Sequence, residues 1–181
     1  MSDSKQLLIL KAFTLHLEGM NPTAIDPGTE DNYLIDMRAK VVRGRTTLGA
    51  AEDDSPPVLS FLEKPSPEVG IPAGEQGVRR LENWTLLLQG FAPDDKKNPT
   101  DPAYLLKAQV EQRLSQIIEI DPSTGDPVFP DVYLLGSLII GLTIGQGVVR
   151  PPDKQVSPTA FFYLPLIVKM KTDVSKPYST K

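Results

Sequence analysis

Apolar positions in this chain recur with two periods, three to four residues in some stretches and two in others. Between Lys5 and Glu18 they recur at helical spacing. Leu7, Leu10, Phe13 or Thr14, Leu17 and Met20 trace one face, while Lys5, Gln6, Lys11 and Glu18 mark the other. That pattern predicts an amphipathic helix over about Lys5 to Glu18, capped by Ser2 or Ser4 and stopped at Gly19. Further on, Ile35, Met37, Ala39 and Val41 alternate with Asp36, Arg38 and Lys40. Period two with one charged side predicts a half-buried strand. Val58 to Glu63 reads as a second strand. The run Trp84 to Phe91 is short, apolar and bounded by turn residues, so it reads as a third, buried one. After the polar loop Ala92 to Thr100, Asp101-Pro102 predicts a helix start, with Asp101 accepting from a first-turn N–H and Pro102 at the first helical position. This helix is expected to run to about Glu119, its stripe carried by Leu106, Val110, Leu114 and Ile117. Leu138 to Ile144 and Thr159 to Met170 complete the set of strands. The last places Ala160, Phe162, Leu164, Leu166 and Val168 on one face. Pro165 lacks an N–H, which puts that strand at an edge or at a bulge.

The order is helix, two strands, strand, helix, two strands. It predicts an α/β (α+β) domain with a mixed, mainly antiparallel sheet of about five strands and two helices packed on one face. Residues 1–171 are read as one domain, and 172–181 as an extended or flexible tail. The connections are long: Asn21 to Asn32, the acidic stretch around Glu52-Asp53-Asp54, Lys64 to Arg80, Asp121 to Pro130, and Gly147 to Pro158. Lys64 to Arg80 holds three prolines, three glycines and little periodicity. Such a length without structure of its own points to a segment that orders against a neighbouring subunit.

Composition adds two constraints. Eighteen prolines in 181 residues imply stiffened connections rather than general disorder. The net charge of −4 and the lack of any basic stripe argue against a dedicated nucleic-acid binder. The chain has no cysteine, which excludes disulfide and thiolate chemistry and suits a reducing compartment. No apolar run approaches the ~20 residues of a membrane helix, and the first residues lack a signal-peptide pattern. A soluble intracellular protein is expected.

The search for chemistry yields little. His16 is the only histidine and reads as a helix-surface or boundary residue. Asp53-Asp54 and Asp94-Asp95 are candidate magnesium ligands, but solvated loop charge is the plainer account of both pairs. Gly145-Gln146-Gly147 lacks the third glycine of a dinucleotide fingerprint and reads as a turn. Arg43-Gly44-Arg45 and Arg79-Arg80 are the densest basic spots, suited to an acidic neighbour or to salt-bridged surface. Trp84 is read as core. No catalytic, metal-binding or cofactor-binding residue is assigned, and the expectation is a non-enzymatic protein that uses its loops for assembly.

One resemblance gives this a direction. Glu82 to Phe91 and Lys97-Asn98-Pro99-Thr100-Asp101-Pro102-Ala103-Tyr104 resemble the tail terminator, or tail completion (minor tail), proteins of tailed phages. His16 to Pro22, Val42-Arg43-Gly44-Arg45, Gly147 to Pro152 and Ala160 to Leu166 fit the same family. The resemblance implies a virion protein, made in the cytoplasm of a host bacterium, that forms a homo-oligomeric ring, commonly a hexamer. The ring would cap the tail tube at its head-proximal end and offer the docking surface for the head–tail connector. Its partners would be itself, the tail tube protein and the connector or neck proteins. Neither a membrane nor a cofactor is implied, and DNA would pass through the lumen without being read. Arg43, Arg45, Arg79, Arg80 and Arg150 are then candidate interface residues, facing acidic positions such as Asp53 and Asp54 of the next subunit. A head-completion, neck or tail-tube protein is the nearest alternative. A small metal-dependent hydrolase using the acidic loops is the alternative of a different class.

Overall fold

A computed structural model of the chain describes residues 3–23, 32–48, 55–64 and 79–178. Within them the order is α1 (Lys5–Glu18), β1 (Val41–Arg43), β2 (Val58–Glu63), β3 (Arg79–Phe91), α2 (Asp101–Ser115), α3 (Leu134–Ser137), β4 (Gly141–Ile144), β5 (Val148–Arg150) and β6 (Phe161–Asp173). The strands form one mixed sheet of six, ordered β1-β2-β3-β6-β4, with β5 also paired to β6. Only the β1–β2 pair is parallel. The α+β class and the mainly antiparallel sheet are therefore as expected.

Alternation along the strands makes two unlike faces. Even-numbered residues of β3 and β6, such as Leu86, Leu88, Leu164 and Leu166, join Ile9, Phe13 and Leu17 of α1 and Leu106, Val110 and Leu114 of α2 in one core. Both long helices thus cover the same face, and the predicted α2 stripe through Ile117 is fully buried. On the reverse face Leu48, Val58, Phe91 and Phe161 form a smaller cluster at one end of the sheet.

α1 occupies the bounds its periodicity predicts. Ser4 caps it, its Oγ accepting from the Leu7 N–H at 3.3 Å. Ser4→Ala is expected to cost about 1 kcal/mol, read as a lower denaturant midpoint at unchanged slope. The buried stripe is Ile9, Phe13, His16, Leu17 and Met20, leaving Leu7 and Leu10 half-exposed. Phe13, Leu17 and Met20 lie on the expected face, and Ile9 and His16 complete it in place of Leu7 and Leu10.

Several elements depart from expectation. Ile35 to Lys40 is not a strand. The Asp36 carboxylate accepts from the Arg38 N–H at 3.0 Å, and Ala39 adopts φ 57, so the chain turns there and pairs only from Val41. Asp101 is not the cap of α2 but its first residue; Thr100 precedes it without a side-chain cap bond. The preceding loop is instead held by Asp95, which accepts from the N–H groups of Lys97 and Asn98 at 2.8 and 2.9 Å. α2 ends at Ser115, and tighter turns carry the chain on through Ile118. α3 is a single turn of left-handed residues (φ 49 to 69) that places Leu135 in the core. β3 begins at Arg79 rather than Trp84, and β6 continues through Thr172 to Asp173. The expected segment between Lys64 and Arg79 lies outside the described residues, as do most of Asn21 to Asn32 and the Glu52-Asp53-Asp54 stretch.

β4 and β5 are one strand interrupted. The pairs with β6 shift register by one residue between Ile144↔Leu166 and Val148↔Tyr163. Gly145-Gln146-Gly147 therefore stands opposite Leu164-Pro165, a β-bulge. The Gly145 N–H donates to the Pro165 carbonyl at 2.8 Å, and a Cβ on Gly145 would lie 2.8 Å from Pro165 Cγ. Pro165 thus sits at a bulge of an interior strand, where its missing N–H faces the break in the ladder.

Candidate functional site

The residues proposed for an interface occupy separate parts of the sheet. Arg43 ends the edge strand β1, and its guanidinium donates to Thr14 Oγ1 of α1 at 3.2 Å. Arg45 follows Gly44, and its backbone N–H donates to the buried Ser60 Oγ at 3.0 Å. Arg150 is exposed at the end of β5, on the opposite edge of the sheet. Arg79 opens β3 opposite Asp173 and forms an exposed ion pair with it at 3.4 Å. Arg80 shares that end of β3; its side chain, like Asp53 and Asp54, lies outside the described residues. Four strand steps of ~4.8 Å separate β1 from β5, and Arg79 lies roughly 30 Å along β3 from the level of Arg43. These arginines do not converge on one ligand.

Chemistry is equally dispersed. Among the described residues no three His, Asp or Glu side chains are grouped to hold a metal. Asp95 is committed to two backbone N–H groups, which hold its carboxyl below the usual range. A cleft of about 120 Å³ opens where the start of α1 (Ser4, Lys5) meets Glu82, Thr172 and the turn after β6. It is smaller than the pockets that take substrates and cofactors. No helix among the described residues is long and apolar enough to cross a membrane.

A buried polar constellation joins α1 to α2, and sequence reasoning missed it. His16 is 6% exposed, not a surface residue. Its Nε2 lies 2.6 Å from the Arg113 carbonyl oxygen, so Nε2 carries the proton. Arg113 answers with Nε to the His16 carbonyl at 3.0 Å, and with Nη1 to Tyr33 Oη and Gln116 Oε1 at 3.1 and 3.0 Å. Nδ1 of His16 is buried with no hydrogen-bond partner among the described residues. Burial first, and the Arg113 charge second, depress the imidazole to about 4. A neutral histidine locked to a backbone carbonyl is a structural clamp. The signal that could have found it is the pairing of the only histidine with a mid-helix arginine, but that needs the α1–α2 packing to be known.

What the sheet does present is a surface. On the reverse face, beyond the Phe91–Phe161 end, the register sets Leu62, Leu87 and Pro165 side by side, all half-exposed. The next row holds Thr85, Ile167 (42% exposed) and Thr143. No described element covers these rows. No family model matches the chain, and no curated protein shows significant similarity to it.

Proposed function

We propose that the protein is a ring-forming structural component of a phage tail, a terminator that caps the tail tube and receives the head connector. The observation that carries this reading is where the resembling stretches fall. Glu82 to Phe91 is most of β3, Ala160 to Leu166 begins β6, Gly147 to Pro152 spans β5, and Lys97 to Tyr104 leads into α2. Two of them lie on the paired central strands β3 and β6, one on the edge strand β5, and one leads into α2. The scattered arginines and a sheet face that no described element covers support a protein that contacts neighbours over a broad area rather than one that binds a small molecule. A heterologous interface whose rotation closes would convert such a body into a ring.

Native mass spectrometry of the purified protein tests it, with a closed homo-oligomer as the expected result. A species that stays monomeric at high concentration and also when mixed with tail tubes overturns it. Cryo-electron microscopy of tails carrying the tagged protein separates the terminator from a neck or tube role: density at the head-proximal tube end is expected. Reversing the charge of Arg43 and Arg45 together is expected to weaken ring formation several-fold, most at low salt where exposed charges are least screened. Unchanged assembly and tail attachment would remove those two residues from the interface.

A further inference from the structure

Between α2 and β4 the chain passes through four consecutive residues of positive φ, Leu134 (49), Leu135 (53), Gly136 (67) and Ser137 (69). Three of the four carry side chains, and for each of them the left-handed region sets Cβ against the following carbonyl oxygen. Only Gly136 is at ease there. A strained run persists where the surroundings over-determine it. Here the Leu134 N–H donates to the Ile117 carbonyl at 2.8 Å, tying the turn to the chain just after α2, while Leu135 and Ile139 are buried in the main core. The strain of three such residues is comparable with what burying one or two large apolar side chains contributes. The turn is therefore held closed against its own backbone preference.

What the turn holds in place is β4. Among the described residues its one strand partner is β6, through the four pairs from Gly141↔Lys169 to Ile144↔Leu166. The Ile140 N–H adds a bond to the Lys169 carbonyl at 2.7 Å. Leu142 is the only β4 side chain that is buried. At its far end the Gly145–Gly147 bulge interrupts the ladder before β5. β6, by contrast, pairs with β3 over thirteen residues and keeps that partner without β4. β4 thus lies between a strained turn and a break in pairing. We propose that residues 134–144 form a strap poised to leave β6 as a local unit, with the left-handed turn relaxing as it leaves and the β2–β3–β6 sheet staying folded. Its release bares the β6 backbone from Leu166 to Lys169. This holds for a lone subunit, whether or not the protein forms a ring.

Native-state hydrogen exchange of the full chain, read by mass spectrometry, tests it. Amides of residues 138–144 are expected to exchange at least about tenfold faster than those of β2 and β3, with little response to denaturant below the unfolding transition. Two substitutions of opposite sign then probe the turn. Gly136 and Ser137 are both exposed, and a Cβ on Gly136 would meet nothing within 4 Å, so the backbone carries the effect. Gly136→Ala adds a strained residue and is expected to speed exchange of 138–144 by about three- to tenfold, whereas Ser137→Gly removes one and should slow it by about threefold. Each variant also shifts the stability of the whole chain, and a strap whose turn has relaxed in the open form shows that same factor locally. Exchange of 138–144 that occurs only together with β2 and β3 overturns the strap. So does a melting temperature that moves while 138–144 exchange does not, because the turn then stays left-handed throughout. Two variants that change neither quantity show an unstrained turn and overturn it as well.

Discussion

Gly90→Ala is expected to destabilise the fold by about 2 kcal/mol or more and to lower its melting temperature by roughly 4–10 °C. Gly90 lies on β3 between Leu59 of β2 and Phe162 of β6. All three are on the helix-covered face, where the ring of Phe162 and the Leu59 side chain lean across the space a side chain would fill. A Cβ there would fall inside contact distance of Phe162 Cε1 and Cζ and lie 2.9 Å from Leu59 Cδ2. Both neighbours are fully buried, so neither can swing aside into solvent. The methyl group must displace a packed ring or push apart two central strands. Equilibrium denaturation checks the effect, and Phe162→Leu supplies the control. If the clash is with the ring, Gly90→Ala should cost at least about 1 kcal/mol less in the Phe162→Leu background than in wild type. Equal costs in both backgrounds would place the strain elsewhere, on Leu59 or on the backbone.

That glycine shows where reading the sequence stops. Gly90 belongs to the apolar run that predicts β3, but nothing local says that a phenylalanine 72 residues later will be its partner. Elements governed by local chemistry were legible. Ser4 and Gly19 bracket α1, and Val58–Glu63 is β2 to the residue. The α2 stripe follows from spacing alone. Elements governed by a competing local bond were misread. Ile35 to Val41 has the alternation of a strand, yet the Asp36 carboxylate bonds the chain two residues on and turns it. A short polar side chain can outcompete a ladder in this way. The left-handed turn at Leu134–Ser137 had no signal, because Leu-Leu-Gly-Ser does not announce four residues of positive φ; tertiary packing of Leu135 holds it.

The bulge stands between these cases. Pro165 declared that its own N–H was missing, and Gly145 and Gly147 that the chain bends. Only the β4–β6 and β5–β6 registers show that they face one another. The same limit applies to the interface residues. Arg43, Arg79 and Arg150 are each readable as strand-end cations, but their separation follows from sheet order, which no periodicity encodes. The reverse face was partly legible: Ile167 lies off the Phe162–Val168 side, but Leu87 looks like core within its apolar run until both helices are placed on the opposite side, and no described element covers it.

Acidification from about pH 7 to pH 5 is expected to cost the folded protein roughly 2 kcal/mol through His16 alone. The sign follows from where the proton is bound. In the folded protein His16 titrates at about 4, against 6.5 as the ordinary value, so between those values the unfolded chain binds the proton and the folded one does not. Stability from this group is complete above about pH 6.5 and is lost as the pH falls toward 4. The structural reason is that a second proton has no place to go. Nε2–H already donates to the Arg113 carbonyl, Nδ1 has no acceptor among the described residues, and the Arg113 guanidinium borders the same space, itself bonded to Tyr33 and Gln116. A charged imidazole would be buried, unpaired and beside a cation. Denaturant titrations at the two pH values measure the loss. His16→Gln keeps a side-chain N–H able to reach the Arg113 carbonyl but does not titrate, so its stability should change far less over the same interval. If wild type and His16→Gln lose stability equally, the pH dependence belongs to the carboxylates, and the clamp between the helices is indifferent to protonation.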